Sequence, residues 1–135
     1  FVASPYAAPY AATKHAVVAI STCLFHELAM VGSEVGVSVL CPGFLRTDIL
    51  DTDRAWPDEL GRPPGHADDP GGQVMHDFFG QAVDQGGDPA DLANLVVEAI
   101  RSRRFLVSTH LDQCARGVDI TRRVVDGAAP GVLEL

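Results

Sequence analysis

The sequence predicts an α/β fold in which helices pack against a parallel sheet. A long helical pattern over residues 10–31 precedes a nearly unbroken apolar run, residues 35–41. Such a run is typical of a strand buried on both faces. A second helical pattern, residues 89–104, precedes a second short apolar run, residues 105–109. Because helix and strand alternate twice, the layered arrangement is favoured.

Composition argues against several classes of protein. The 135 residues are 47% hydrophobic and 21% charged, which fits one globular domain. The net charge of −8 offers no basic surface to nucleic acid or an anionic membrane, and no apolar run is long enough to span a bilayer. Cys23, Cys41 and Cys114 form no Cys-x-x-Cys pair, so we expect reduced thiols in a cytoplasmic protein. The histidines are isolated from other ligand residues, and no metal site is predicted.

The helix predicted over residues 10–31 carries the candidate catalytic pair. Tyr10 and Lys14 are four residues apart, so both side chains lie on one face, one turn apart. Lys14 is the single lysine of the chain. A nearby ammonium group favours the ionised form of a phenol, and such a tyrosine can exchange a proton near neutral pH. A half-buried tyrosine beside a solvated lysine has the same spacing, so the pair alone does not show whether it is catalytic. Other motifs in the chain must distinguish the two interpretations.

The two faces of this helix differ in composition, and we expect them to contact different partners. We expect a stripe at helical spacing to face the sheet, formed by Tyr10, Lys14, Val17, Ser21, Leu24 and Leu28. The opposite face is rich in alanine and almost free of charge, whereas a solvated face would be charged. We therefore predict that a second copy of the chain covers that face, which makes the protein a homo-oligomer through the helix 10–31.

The strand predicted over residues 35–41 ends at the turn Pro42-Gly43. Proline fixes one backbone angle and glycine frees the next, so the chain can turn sharply and expose backbone groups. Open α/β sheets bind ligands at this end of their strands. A plain strand-to-loop turn has the same sequence, so this motif alone does not identify a site.

The order of these motifs closely resembles the short-chain dehydrogenase/reductase family. Tyr-x-x-x-Lys at residues 10–14 is followed by a helix, a strand and Pro-Gly-x-x-x-Thr at residues 42–47, and the resemblance covers residues 4–109. It implies the C-terminal portion of a Rossmann-like doubly wound parallel sheet. The chain would then be the C-terminal half of a single domain whose N-terminal dinucleotide-binding half is absent. The family's Gly-rich turn and upstream serine are also not found, so we expect residues 1–135 alone to be inactive.

The resemblance also implies a function and its residues. The protein would be an oxidoreductase that transfers a hydride between NAD or NADP and a carbonyl or alcohol carbon of a small molecule. Tyr10 would exchange a proton with the substrate oxygen, and Lys14 would lower the pKa of that phenol. Both would contact the nicotinamide ribose. The turn Pro42-Gly43, the backbone at Phe44 and the hydroxyl of Thr47 would hold the cofactor.

Residues 49–87 are rich in proline, glycine and aspartate, which interrupt regular structure. We expect residues 51–72 to be mobile. Residues 74–83 carry apolar side chains at near-helical spacing, and the resemblance implies a lid helix over the substrate. Four large side chains are candidates for the substrate pocket, with packing an equally good explanation of each: Trp56, Met75, Phe78 and Phe79.

The remaining elements follow from helix-capping signals. Asp88-Pro89 is typical of a helix start, and three arginines near residue 104 suit its C-terminal end. Apolar residues in step predict a last helix over residues 111–125. Residues 127–135 are expected to form a loose tail.

Two other functions stay open at this point. Extended relatives of the family use Tyr-x-x-x-Lys and bound nicotinamide for sugar epimerisation or dehydration. The short segment after Pro42-Gly43 argues against their large sugar-nucleotide domain. The second alternative is a non-catalytic dinucleotide-binding or dimerisation module, against which the intact pair Tyr10 and Lys14 argues. The substrate, and the choice between NAD and NADP, are not determined by these residues.

Overall fold

The computed structural model describes residues 3–51, 56–61 and 69–131. Its elements in chain order are α1 (Ala8–Met30), β1 (Val39–Leu40), a 3₁₀ helix (Asp58–Leu60), α2 (Pro70–Asp84), α3 (Pro89–Arg101), β2 (Leu106–Val107) and α4 (Leu111–Val125). The chain divides into two compact units, one reaching up to Gly43 and resuming at Leu92, the other Phe44–Asp91. The predicted α/β fold with a parallel sheet is confirmed.

The sheet of the first unit is a parallel pair of strands. Val39 lies opposite Leu106, and Leu40 lies opposite Val107. The strand predicted over residues 35–41 therefore forms a ladder only at Val39–Leu40, and the one predicted over 105–109 only at Leu106–Val107. Val39 and Val107 are each 3% exposed and form the centre of this unit's core.

Helix α1 packs on β1 through a face that overlaps the predicted one only in part. The ring of Phe25 meets that of Phe105 edge-on, with centroids 5.5 Å apart. The partly buried positions of the helix are Ala11, Val18, Ser21, Thr22 and Leu28. Ser21 and Leu28 belong to the predicted sheet-facing stripe, whereas its members Tyr10, Val17 and Leu24 are 55%, 49% and 45% exposed. The helix is apolar almost all round, and its periodicity therefore could not indicate which face meets the sheet.

Helices α3 and α4 flank β2 along the chain. Leu92 and Ala99 of α3 are buried, 7% and 0% exposed. This helix was predicted over residues 89–104 but ends at Arg101, because Arg103 takes the left-handed conformation, with φ 54°. Helix α4 occupies the predicted residues 111–125.

The second unit is built on α2, which includes the predicted lid helix 74–83. Asp69 caps α2 by accepting a hydrogen bond from the backbone N–H of Gly71 at 3.1 Å. Met75 and Val83 are buried, 4% and 8% exposed. Much of the segment predicted to be mobile, residues 51–72, lies outside the described residues, as does residue 132 onward of the predicted tail.

Candidate active site

Tyr10 and Lys14 lie in the first turns of α1 and contact each other. The Lys14 ammonium nitrogen is 5.2 Å from the centroid of the Tyr10 ring, a distance at which a cation is attracted to the ring face. Tyr10 is 55% exposed, and Lys14 is exposed as well. Pro9 starts the helix at a position where its missing N–H has no helical partner to lose. The predicted pair is therefore close together and accessible to a ligand.

The hydroxyl of Thr13 also belongs to this first turn. It donates a hydrogen bond to the backbone carbonyl of Tyr10 at 2.7 Å. One turn later, His15 Nδ1 lies 2.8 Å from the carbonyl oxygen of Ala11. Both polar side chains beside the pair thus bond to the helix itself.

Pro42 and Gly43 follow β1 after Cys41, but the sharp turn predicted there is not observed: residues 41–44 form no turn or bend, and Gly43 is not among the glycines with positive φ. The backbone N–H of Gly43 donates to the hydroxyl oxygen of Thr109 at 3.0 Å. A Cβ at position 43 would overlap the imidazole of His110, so the ring occupies the space that a side chain would need. Glycine is required here by this close approach and not by its backbone conformation.

Thr109 and His110 were missed by the sequence reasoning. The hydroxyl of Thr109 and Nδ1 of His110 lie 2.8 Å apart. A usable signal was present, because both residues follow β2 directly, as Pro42-Gly43 follows β1. In a parallel pair the two carboxyl ends lie at the same edge of the sheet.

Phe44 and Thr47 belong to the second unit. The carbonyl of Phe44 accepts a hydrogen bond from the Gly87 N–H at 3.0 Å. The Phe44 ring lies 6.4 Å from the Phe78 ring and 6.1 Å from the Phe79 ring, centroid to centroid. Thr47 is exposed. The predicted pocket aromatics Phe78 and Phe79 thus cluster on the residue predicted to hold the cofactor.

The other two pocket candidates have structural partners in the same unit. Met75 is 4% exposed, so packing explains its apolar side chain. The indole N–H of Trp56 donates to the carbonyl of Gly61 at 2.7 Å and closes the short segment around the 3₁₀ helix. Contacts within the protein therefore explain both side chains without a role in the substrate pocket.

Arg46 holds the segment after β1 against residues 86–88, and the sequence reasoning missed it. Its backbone N–H donates to the Gly87 carbonyl at 3.0 Å, and its guanidinium donates to the Gly86 carbonyl at 2.7 Å. The guanidinium also lies 3.4 Å from a carboxylate oxygen of Asp88, and both side chains are about half exposed. An ion pair this exposed contributes little by itself. The two bonds to backbone carbonyls matter more for the position of this segment.

The Cys41 thiol lies in the described part of the chain and is half-buried. Burial raises the pKa of the Cys41 thiol above its ordinary value, which makes the thiol less reactive. Among the described residues, no three His, Cys, Asp or Glu side chains lie close enough together to hold a metal ion. The helices of that same part of the chain are too short or too polar to cross a membrane.

A surface groove of about 350 Å³ lies in the first unit, beside the sheet. It is lined by Glu34, Gly36, Ser38, Leu40, Val96, Ile100, Arg103 and Val107. None of the six predicted site residues is among them. This groove is therefore not where the sequence places the chemistry.

Comparison with known proteins gives three findings. A family model described as short chain dehydrogenase matches residues 1–58, a range that includes all six predicted site residues. The chain is 27% identical over 124 residues to a CLA biosynthesis dehydrogenase/reductase of Lactiplantibacillus plantarum, covering 91% of this chain and 43% of that protein. It is 34% identical, with a TM-score of 0.80, to a short chain dehydrogenase/reductase of Burkholderia phymatum solved in complex with NAD, covering 93% of this chain and 45% of that one. The chain therefore spans less than half the length of either relative.

Proposed function

Because this chain belongs to the short-chain dehydrogenase/reductase family and carries part of its Rossmann-like fold, we propose that the protein is an oxidoreductase that uses NAD or NADP. It transfers a hydride between the cofactor and a carbonyl or alcohol carbon of a small molecule. The observation that carries this proposal is the exposed pair at the start of α1, with the Lys14 ammonium 5.2 Å from the Tyr10 ring. The NAD bound to the Burkholderia relative supports the choice of cofactor.

The residues of the pair fit the nicotinamide end of such a cofactor. A lysine ammonium offers three hydrogen-bond donors and no acceptor, which suits ribose hydroxyl oxygens. A tyrosine hydroxyl both donates and accepts, which suits a substrate oxygen that is a carbonyl in one direction of the reaction and an alcohol in the other. A bound nicotinamide supplies the hydride chemistry.

The roles of the two side chains follow from these properties. Tyr10 gives its phenolic proton to the substrate oxygen during reduction and takes it back during oxidation. Lys14 orients the ribose and keeps a positive charge beside the phenol. Because both groups sit on successive turns of one helix, their spacing is set by α1 and does not depend on a loop.

The segment from Pro42 to Thr47 is proposed to hold the carboxamide end of the cofactor. The carbonyl of Phe44 already accepts a bond from Gly87, so we assign carboxamide recognition mainly to the Phe44 N–H. The Thr47 hydroxyl, which is exposed, adds a further contact to the cofactor. Helix α2, whose aromatic residues pack on the Phe44 ring, is proposed as the lid over the substrate.

The experiment that tests the function is the substitution Tyr10→Phe in the protein expressed from its complete reading frame. Turnover of carbonyl substrates, followed by the absorbance of the reduced nicotinamide, should fall by about 10²-fold or more, as expected when a general acid is lost. Binding of NAD or NADP should persist. The matched control is Tyr6→Phe, since Tyr6 is similarly exposed, at 59% against 55%, and precedes α1.

Each alternative predicts a different result. Equal turnover in Tyr10→Phe and wild type contradicts the proposed role of the phenol. Nucleotide binding without turnover of any carbonyl or alcohol favours the non-catalytic module, and conversion of a nucleotide sugar without net cofactor reduction favours the epimerase or dehydratase. Residues 1–135 expressed alone are proposed to be inactive, so turnover by that polypeptide contradicts this part of the proposal.

We also propose that two copies of the chain associate through α1. This helix has no fully buried residue, and it exposes Ile20 and Met30 at 67% and 86%. Charging the centre of the helix with Ile20→Asp should dissociate the oligomer in sedimentation experiments. Ile100→Asp is the matched control, because Ile100 is similarly exposed, at 61%, on α3. Unchanged assembly in Ile20→Asp contradicts the proposal.

A further inference from the structure

We propose that Thr109 and His110 are positioning residues that hold the Pro42–Gly43 peptide and the Gly43 Cα in place. This inference rests on the proposed function, under which the N–H of the next residue, Phe44, recognises the nicotinamide carboxamide. Neither residue belongs to the motifs that identified the site in the sequence. The pair is instead assembled by the parallel pairing of β1 with β2.

The hydrogen bonds of the sheet show how the pair replaces backbone pairing. Val39 N–H donates to the Phe105 carbonyl at 2.7 Å, and Cys41 N–H donates to the Val107 carbonyl at 2.8 Å. The same spacing would next pair Gly43 N–H with the backbone carbonyl of residue 109. Gly43 N–H bonds the side-chain hydroxyl of Thr109 instead, at 3.0 Å. Gly43 is therefore held by a side chain, because the backbone that follows β2 leaves the sheet and begins α4.

The imidazole of His110 completes the arrangement. Gly43 N–H can only donate, so Thr109 Oγ1 is its acceptor and keeps one hydrogen to give. His110 Nδ1, 2.8 Å away, accepts that hydrogen in the arrangement that satisfies all three groups, with the ring hydrogen on Nε2. The ring itself fills the space beside the Gly43 Cα that a Cβ would occupy. Gly43 is thus held both by a hydrogen bond to Thr109 and by a packing contact with His110.

His110 is itself held in place by the start of α4. Its backbone N–H donates to the hydroxyl of Ser108 at 3.2 Å, and its carbonyl accepts from Cys114 N–H at 3.3 Å. The ring is half-buried. These bonds hold His110, which packs on Gly43. The start of α4 therefore helps to fix the position of Gly43 after β1.

The test uses the Thr109→Val and Thr109→Ser variants of the protein expressed from its complete reading frame. Valine keeps the shape and removes the hydroxyl, whereas serine keeps the hydroxyl. The Gly43 N–H should exchange with solvent deuterium about tenfold faster in Thr109→Val, as expected for the loss of one hydrogen bond. The dissociation constant for NADH or NADPH, measured by nucleotide fluorescence, should rise about tenfold in the same variant. Thr109→Ser should restore both quantities to the wild-type values.

The control is Thr121→Val, whose hydroxyl bonds to the Gly117 carbonyl within α4 and should affect neither quantity. Unchanged exchange at Gly43 in Thr109→Val overturns the inference. Faster exchange with unchanged nucleotide affinity overturns its link to the cofactor. A wild-type protein that binds neither nucleotide overturns the proposed function. In that case the faster exchange of the Gly43 N–H in Thr109→Val still shows that Thr109 holds Gly43.

Discussion

The imidazole of His110 lies against the Cα of Gly43, in the position that any side chain at residue 43 would need. The two residues are 67 positions apart and meet because β1 and β2 are parallel neighbours. This contact joins a motif that the sequence makes visible, Pro42-Gly43, to a residue that no motif indicates. It therefore makes the tolerance of Gly43 to substitution a direct test of the structure.

Gly43→Ala should destabilise the protein because the new methyl group overlaps the His110 ring. Overpacking of this kind costs about 1–3 kcal/mol of unfolding free energy, which urea denaturation can measure. Gly36→Ala is the matched control, since a Cβ at Gly36 meets no atom within 4 Å. The double variant Gly43→Ala, His110→Ala should recover part of the loss. Equal stability of the two single alanine variants would contradict the close approach.

A second glycine, Gly86, makes a similar contact in the other unit. A Cβ there would lie 2.7 Å from the backbone nitrogen of Leu45 and 2.8 Å from its Cα. Backbone atoms cannot rotate aside as a side chain can, so Gly86→Ala should cost unfolding free energy near the upper end of about 1–3 kcal/mol.

Gly80 provides the comparison for that substitution. It lies inside α2, and a Cβ there meets no atom within 4 Å. Gly80→Ala should therefore stabilise the protein by about 0.5–1 kcal/mol, because alanine has the higher helix propensity. Thermal or urea unfolding of both variants should show shifts of opposite sign. A Gly86→Ala variant as stable as the wild type would refute the packing of Gly86 on Leu45.

Asp88 caps α3 and also lies near Arg46, and two substitutions separate these roles. Its carboxylate accepts a hydrogen bond from the Ala90 N–H at 2.8 Å, whereas the ion pair to Arg46 is longer, 3.4 Å, and half exposed. Asp88→Ala should cost about 1 kcal/mol of unfolding free energy. Asp88→Asn keeps an acceptor for the cap and should cost only a few tenths, since exposed ion pairs contribute little. An asparagine variant as unstable as the alanine variant would show that the charge, and not the cap, matters.

Cys41 and Cys23 should differ in their reaction with iodoacetamide. Cys23 is exposed, whereas Cys41 is half-buried and burial raises the pKa of its thiol. The thiolate is the reacting form, and a raised pKa lowers its fraction at neutral pH. We expect alkylation of Cys41 to be slower than that of Cys23, measured by mass spectrometry of the peptides. The difference should vanish in urea; a persistent difference there, or equal rates in the folded protein, would contradict this explanation.

The same pKa shift has a consequence for stability. Because the Cys41 thiol has a higher pKa in the folded protein than in the unfolded chain, the folded state holds its proton more tightly. The corresponding stability is fully present below the unfolded pKa, near 8.5, and is lost as the pH rises through the folded pKa. A Cys41→Ala variant should lack this alkaline loss, and Cys23→Ala should retain it.

The prediction of the fold from the sequence succeeded where local signals decide. Helix α4 was expected over residues 111–125 and is observed there, and α3 begins at the predicted Pro89, because apolar periodicity and caps act within a few residues. The sheet-facing stripe of α1 was predicted correctly only at Ser21 and Leu28. Small and apolar residues cover both sides of that helix, and only the position of β1 selects Ala11, Val18 and Thr22 over Val17 and Leu24.

By itself, the sequence determined the spacing of Tyr10 and Lys14, since four residues on a helix always bring two side chains one turn apart. The sharp turn that the dihedral preferences of Pro42-Gly43 predict after β1 is not observed, since residues 41–44 form no turn or bend. Only the tertiary structure decided that Thr109 and His110 hold Gly43. Those contacts join residues far apart in the chain, and their partners are chosen by strand pairing, which no local pattern of residues encodes.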